Sequence, residues 1–288
     1  MLFWKRDLQD QSSIHPKKAG ENQVSTDPNL RADPQSLPEE APIWPDDAPD
    51  WLGWAVFVGP LAIYLGVGAL VPSIWERVDL NLNVDQSPTV ALVVAIARLC
   101  LIAAAVSWGL RWIIKVFPLR ITPLSIGVGV LGGLIWIGLC RLNLESQLMV
   151  LLGLSPDWLG QRDAINPWEL FSDPAGLYTF LVTRFALLVI AVPVAEELML
   201  RGFLIRYLED AVWETLPLER VGKVGMIAAT AYGVLSHPSE WIAAAVWFTL
   251  VTLLMMRTKR FWDCVVAHSI TNAMLGIYIL WAHDWRLW

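Results

Sequence analysis

Seven apolar runs of near bilayer-spanning length constrain this chain more than any other feature. They are Trp51–Val71, Thr89–Leu110, Ile121–Cys140, Ala175–Leu208, Val221–His237, Glu240–Met256 and Phe261–Trp281. About 20 apolar residues in a helix cover the ~30 Å of hydrocarbon in a bilayer. The composition agrees: of 288 residues 56% are apolar and 17% charged, with a mean hydropathy of +0.50. Soluble domains carry about 25% charged residues, so the surplus apolar surface must face lipid. The expected fold is all-α, a multi-pass transmembrane helix bundle of about seven spans. The run Gln147–Leu154 is too short to cross and is placed in the membrane interface.

Residues 1–50 are rich in Pro, Asp and Glu and lack periodic apolar residues, so they read as a disordered tail. The chain opens MLFWKRDLQDQSS, turning polar before an apolar signal region forms, and the first span is expected to direct insertion. Residues 51–174 hold the first membrane helices, and 175–288 form the second segment. Counting loops alternately puts fifteen lysines and arginines on one side, against Arg77, Arg141, Arg162 and Arg286 on the other. The first set includes Arg111, Lys115, Arg120, Arg220, Lys223, Arg257, Lys259 and Arg260. The positive-inside rule then places the N-terminus in the cytoplasm and the C-terminus outside. The net charge of −6 says little about partners, and with no basic field visible no nucleic-acid partner is expected. Cys100, Cys140 and Cys264 have neither disulfide nor zinc spacing and read as core residues.

The informative residues are polar groups inside apolar runs. Glu196 and Glu197 interrupt the fourth, yet LMLRGFLIRYL continues it for two more turns. An ionised carboxylate at mid-bilayer costs about 2.5–3.5 kcal/mol even on insertion scales, so both must be satisfied within the bundle. Adjacent helical residues point about 100° apart, which predicts that the two acids cannot face one reaction centre. Glu197 has Arg201 four residues on as an ion-pair partner, whereas Glu196 must look to another helix. Pro193 removes a backbone donor and is expected to free the Val189 carbonyl. Arg184 reads as an outer-edge arginine whose guanidinium snorkels to the interface.

Of four histidines, His15 falls in the tail and His283 at the end of the last span. His237 closes the fifth span, and His268 sits about 10 Å into the seventh. Asn272 lies at i+4 from His268, so amide and imidazole share a face, and Gly276 admits a neighbouring helix there. A His–Asn pair of this kind also serves as plain interhelical hydrogen-bond glue. One tension remains: hydropathy puts Glu196 and His268 toward the cytoplasmic half and His237 toward the outer end, a gap that tilt or a short fifth helix would absorb.

PVAEELMLRGFL contains Glu-Glu-x-x-x-Arg, and HSITN is His-x-x-x-Asn on a later span. With His237 between them, this order resembles the CAAX-protease and bacteriocin-processing (CPBP, or Abi) family of intramembrane endopeptidases, over about residues 175–285. The family usually has Phe-x-x-x-His as its second motif; here Gly233 stands at the Phe position and Tyr232 one residue earlier. The HPSEW continuation resembles a bacterial, CAAX-protease-related subgroup, which implies a bacterial inner membrane. The resemblance implies that Glu196 and His237 activate a water while His268 and Asn272 hold the oxyanion, with Glu197 and Arg201 in support. It implies a peptidase acting on a membrane-associated protein or peptide, with residues 175–288 as its catalytic core.

No cofactor is expected. A zinc ion on Glu196, His237 and His268 is the alternative, but the sequence lacks the His-Glu-x-x-His arrangement that sets two ligands and a base on one turn. A non-catalytic membrane scaffold or immunity protein is the second reading. A transporter is the third, weakened by the lack of an inverted repeat.

Overall fold

A computed structural model describes residues 44–45, 48–78, 87–159 and 165–287, and most of the sequence-assigned tail lies outside them. Every regular element among the described residues is helical. In chain order they are α1 (Trp51–Phe57), α2 (Gly59–Val78), α3 (Pro88–Val116), α4 (Pro123–Leu142) and α5 (Leu144–Leu151). After a helical turn at Pro167–Leu170 come α6 (Pro174–Tyr207), α7 (Lys223–Ser236), α8 (Trp241–Thr258) and α9 (Phe261–Ala282). Ser87, Thr122 and Asp173 precede a proline that opens α3, α4 and α6, where its missing N–H costs no hydrogen bond. The side chains of Ser87 and Asp173 accept the N–H groups of Val90 and Gly176, completing those caps.

Among the described residues five helices are long and apolar enough to cross a membrane, and six when α1 and α2, bent by 65°, count as one span. Seven were expected. The difference is α7, whose 14 residues rise only ~21 Å. It stops at Ser236, one residue inside the expected run, because His237 precedes Pro238, and a residue before proline is driven out of the helical region; His237 has φ −131° and ψ 62°. Outward-facing Leu134, Val182, Ile190, Ile227, Leu235 and Ile277 are each more than half exposed, a surface that only lipid solvates well.

The two ends of the bundle are built differently. At one end α3, α6 and α8 finish while α4, α7 and α9 begin, and this end gathers Arg120, Lys223, Arg257, Lys259 and Arg260. Aromatic packing closes it: Phe117 stacks on Phe261 at 4.5 Å, and Phe57 packs edge-on to Trp213 at 5.4 Å. The Trp262 indole donates to the Phe117 carbonyl, and buried Asp263 accepts both the backbone N–H and the hydroxyl of Thr122. At the other end buried Glu145 on α5 accepts the Ile242 N–H at the start of α8, pinning that turn beside the end of α4. Between the ends, α4 presents Gly129, Gly132 and Gly133 to α9. A methyl at Gly129 would come within 2.8 Å of the Ala267 carbonyl oxygen, so these glycines set the close approach of the two helices.

Candidate active site

Helix α6 carries two wide π-helical segments, Leu187–Ala191 and Leu198–Leu204, flanking the regular turns that hold Glu196 and Glu197. Glu197 and Arg201 are fully buried, and Arg201 Nη1 stands 2.8 Å from each carboxylate oxygen. The hydrogen bond is directed at Oε1; Oε2 is held by charge alone. This is the i, i+4 pair that the spacing predicts.

His268, on α9, joins the acids in a way the spacing does not predict. Its Nδ1 lies 3.0 Å from Glu197 Oε1, and its Nε2 lies 3.6 Å from Glu196 Oε2. Both carboxylates thus flank one imidazole, while Glu196 lines a cavity and Glu197 does not, in keeping with the expectation that adjacent acids cannot both face one reaction centre. Side-chain bearing alone did not show that both would reach the same ring. An imidazole from a neighbouring helix inserts between the acids and offers them opposite edges, and each glutamate is long enough to reach its own nitrogen. The 3.0 Å contact is a hydrogen bond and the 3.6 Å contact is not. The Glu196 side chain keeps 16% exposure while that of Glu197 has none.

Asn272 Nδ2 donates to the Leu188 carbonyl at 2.9 Å. The open carbonyl therefore falls at Leu188 rather than at Val189. In the π register the N–H of Val192 reaches back to the Leu187 carbonyl, so the next residue would serve Leu188, and that residue is Pro193. Asn272 supplies the donor that Pro193 lacks, and its amide has a second N–H beyond this bond. Gly276 permits the contact, since a methyl there would meet Phe185 at 2.7 Å and Leu188 at 3.1 Å.

His237 caps the end of α7. Its Nδ1 lies 3.1 Å from the Gly233 carbonyl and 2.9 Å from the Ser236 hydroxyl, and its ring meets Trp136 edge-on at 5.3 Å. The Trp247 indole stands between the two histidines, 4.6 Å from His268 and 6.2 Å from Trp136. Trp247 is fixed in turn: its N–H donates to Thr271, whose hydroxyl donates to the Gly129 carbonyl. Only Thr271 had a sequence signal, as the neighbour of Asn272 in HSITN. The glycine at the second motif has a partner as well. A Cβ on Gly233 would overlap the Phe248 ring, which lies 5.8 Å from the His237 ring. An aromatic ring thus stands beside His237, supplied by α8.

Glu196, His237, His268 and Asn272 all line one cavity of about 610 Å³, within the size range of ligand pockets. Glu197 and Arg201 lie behind its wall. Arg184, expected at the interface, lines this cavity too. Among the described residues no group of three His, Cys, Asp or Glu side chains is placed to hold a metal ion.

Comparison with known proteins gives the same region. Residues 178–274 match the family model described as type II CAAX prenyl endopeptidase Rce1-like. No curated protein and no solved structure matches the chain. The matched stretch contains Glu196, His237, His268 and Asn272, and the apolar helices continue on both sides of it. The chain is a multi-pass membrane protein whose residues 178–274 match a model of the CAAX-protease (CPBP) family, a family of proteases.

Proposed function

We propose that the chain is an intramembrane endopeptidase that hydrolyses a peptide bond of a membrane-associated protein or peptide, with Glu196 as the base that activates water. The observation that carries this reading is the placement of His268 between two carboxylates, one sealed in protein and one facing a cavity. Glu197 accepts from Nδ1–H and fixes the ring, so Nε2 faces Glu196 and the reacting group. With both acids ionised, Arg201 leaves one negative charge, which a protonated His268 neutralises while directing Nε2–H toward the cavity. A low-dielectric site favours such a neutral cluster.

The catalytic steps follow from these placements. Glu196 takes a proton from a water in the cavity, with His237 as its second contact, and the hydroxide adds to the scissile carbonyl. The oxygen of the tetrahedral intermediate accepts from His268 and from the second N–H of Asn272, an arrangement of the oxyanion-hole kind. Glu196 then returns its proton to the leaving amine, as a base turned acid does in hydrolysis. This mechanism needs no metal, and cleavage that survives exhaustive chelation with no bound metal by elemental analysis is the expected result. The charge asymmetry of the loops supports a cytoplasmic N-terminus, and the resemblance of the HPSEW stretch to a bacterial subgroup supports a bacterial inner membrane.

The test is cleavage of a membrane-embedded peptide by the purified chain in detergent. The wild-type chain is expected to cut it and Glu196→Gln to leave it intact; undiminished turnover by the variant refutes the assignment. A scaffold without activity, the second reading, predicts no cleavage by either.

A further inference from the structure

Helices α7 and α8 share a second concave face, away from the cavity that holds Glu196. A groove of about 510 Å³ runs between them, with Met226, Ile227 and Thr230 in its α7 wall and Thr249, Leu253 and Met256 in its α8 wall. Its hydroxyls are already satisfied within the protein. Those of Thr230 and Thr249 lie 3.1 Å apart, a hydrogen bond from one wall to the other, and that of Thr252 donates to the Phe248 carbonyl at 2.7 Å. The rest of the lining is apolar, and Ile227 and Leu253 are each more than half exposed. Cavity and groove use opposite faces of α7. At 100° per residue, Tyr232 and Ser236 point one way and Met226, Ile227 and Thr230 the other.

The groove has one charged end. Lys223 lies three and four residues before Met226 and Ile227, and Arg257 lies four after Leu253, so each cation continues its helix's groove-lining side. Both are exposed, and neither is in an ion pair among the described residues. Nearby acids are committed elsewhere. Glu209 accepts the N–H groups of Gly222 and Gly225, and Glu214 and Glu219 line a different cavity.

We propose that this face seats one anionic glycerophospholipid, with an acyl chain in the groove and the phosphate between Lys223 and Arg257. The charge pattern selects this occupant: an apolar trough at bilayer depth, headed by two cations at the membrane surface. Met226 and Met256, unbranched and adaptable, stand at the headgroup end and let the trough fit the chain. One surface cation favours an anionic lipid by about fivefold, so two favour it by about thirtyfold. The seat rests on geometry and charge and stands apart from the protease reading.

Photo-cross-linking tests it. The whole chain is placed in nanodiscs of equal parts phosphatidylglycerol and phosphatidylcholine with identical acyl chains. Each lipid in turn carries a diazirine at mid-chain, and cross-linked peptides are read by mass spectrometry. The phosphatidylglycerol probe should label residues 226–231 and 249–256 about thirtyfold more than the phosphatidylcholine probe. Lys223→Gln and Arg257→Gln should each lose about fivefold of that preference, and the pair all of it. Ala231→Trp fills the trough and should block both probes there. Outward-facing Leu131 and Leu134 on α4 should be labelled equally by both probes in every variant, which reports an intact fold in ordinary surrounding lipid. Equal labelling of the groove by the two probes, or a preference that survives the double variant, overturns the proposal and leaves non-selective lipid only. A groove labelled by neither probe while α4 is labelled also overturns it, because another protein chain then covers that face.

Discussion

Two buried arginines, five residues apart on α6, are satisfied in opposite ways. Arg206 sits in the closed basic end, where Nε, Nη1 and Nη2 donate to the carbonyls of Leu216, Gly202 and Glu214. Its guanidinium lies 5.2 Å from the Phe117 ring, and burial lowers its exposure to 1%. Backbone oxygens fill its donors, so it ties the loop after α6 to the helix. Arg201 instead pairs with Glu197, and its Nε and Nη2 have no hydrogen-bond partner among the described residues. Through Glu197 it is coupled to His268 and hence to the cavity. A cation saturated by backbone is a structural tie. A cation that leaves charge to be balanced by an imidazole at a cavity wall is part of a chemical assembly.

This contrast makes graded predictions. The largest effect belongs to Glu196→Gln, which removes the proposed base while leaving a cavity-facing amide of the same shape. Turnover should fall by about 10²–10⁴, the usual worth of general acid–base catalysis, with the melting temperature unchanged. A matching loss of thermal stability would make Glu196 structural. Next comes Glu197→Gln, which strands Arg201 in protein. Breaking a buried pair costs about 3–5 kcal/mol. Adding Arg201→Met should recover most of that stability in denaturation assays without restoring turnover, because His268 still lacks its anchor.

Asn272→Ala should cost about 10²–10³ in turnover, in the range for losing one oxyanion donor, and it also leaves the Leu188 carbonyl bare. Arg206→Leu acts on the other side of the comparison. One buried carbonyl and two part-buried ones lose their donor, the buried one at about 1–3 kcal/mol before relaxation, so stability falls while the folded fraction keeps wild-type turnover. A specific loss of turnover per folded molecule would erase the distinction between the two arginines. The smallest and most local effect is at the second motif. Gly233→Phe overpacks against Phe248 and should cost about 1–3 kcal/mol, and adding Phe248→Gly should recover it by moving the ring from α8 to α7. Recovery is read as a restored melting temperature.

How much of this was legible in the sequence follows from range. Spans appear as long apolar runs, so the helical membrane fold was readable, and His268 and Asn272 share a face by their i, i+4 spacing. The Glu197–Arg201 pair is local and was readable for the same reason. Contacts made across helices were not. Nothing in EELMLR states that an imidazole from α9 inserts between its acids, and nothing near Gly233 shows that Phe248, fifteen residues on, takes up its space. The open carbonyl moved from Val189 to Leu188 because a π segment shifts the hydrogen-bond register by one residue, and apolar periodicity carries no trace of that shift. The fifth run, Val221–His237, was placed correctly up to Pro238, but its helix, Lys223–Ser236, is too short to count as a span.

The central claim is that Glu196 and His268 act as one assembly on one water. A double-mutant cycle on single-turnover cleavage measures this directly, using Glu196→Gln, His268→Ala and the pair. Groups that work as a unit lose nearly everything with the first removal. The account predicts that the double variant cleaves at nearly the rate of the slower single variant. Two independent losses that multiply would contradict it, because the two side chains would then be serving separate ends.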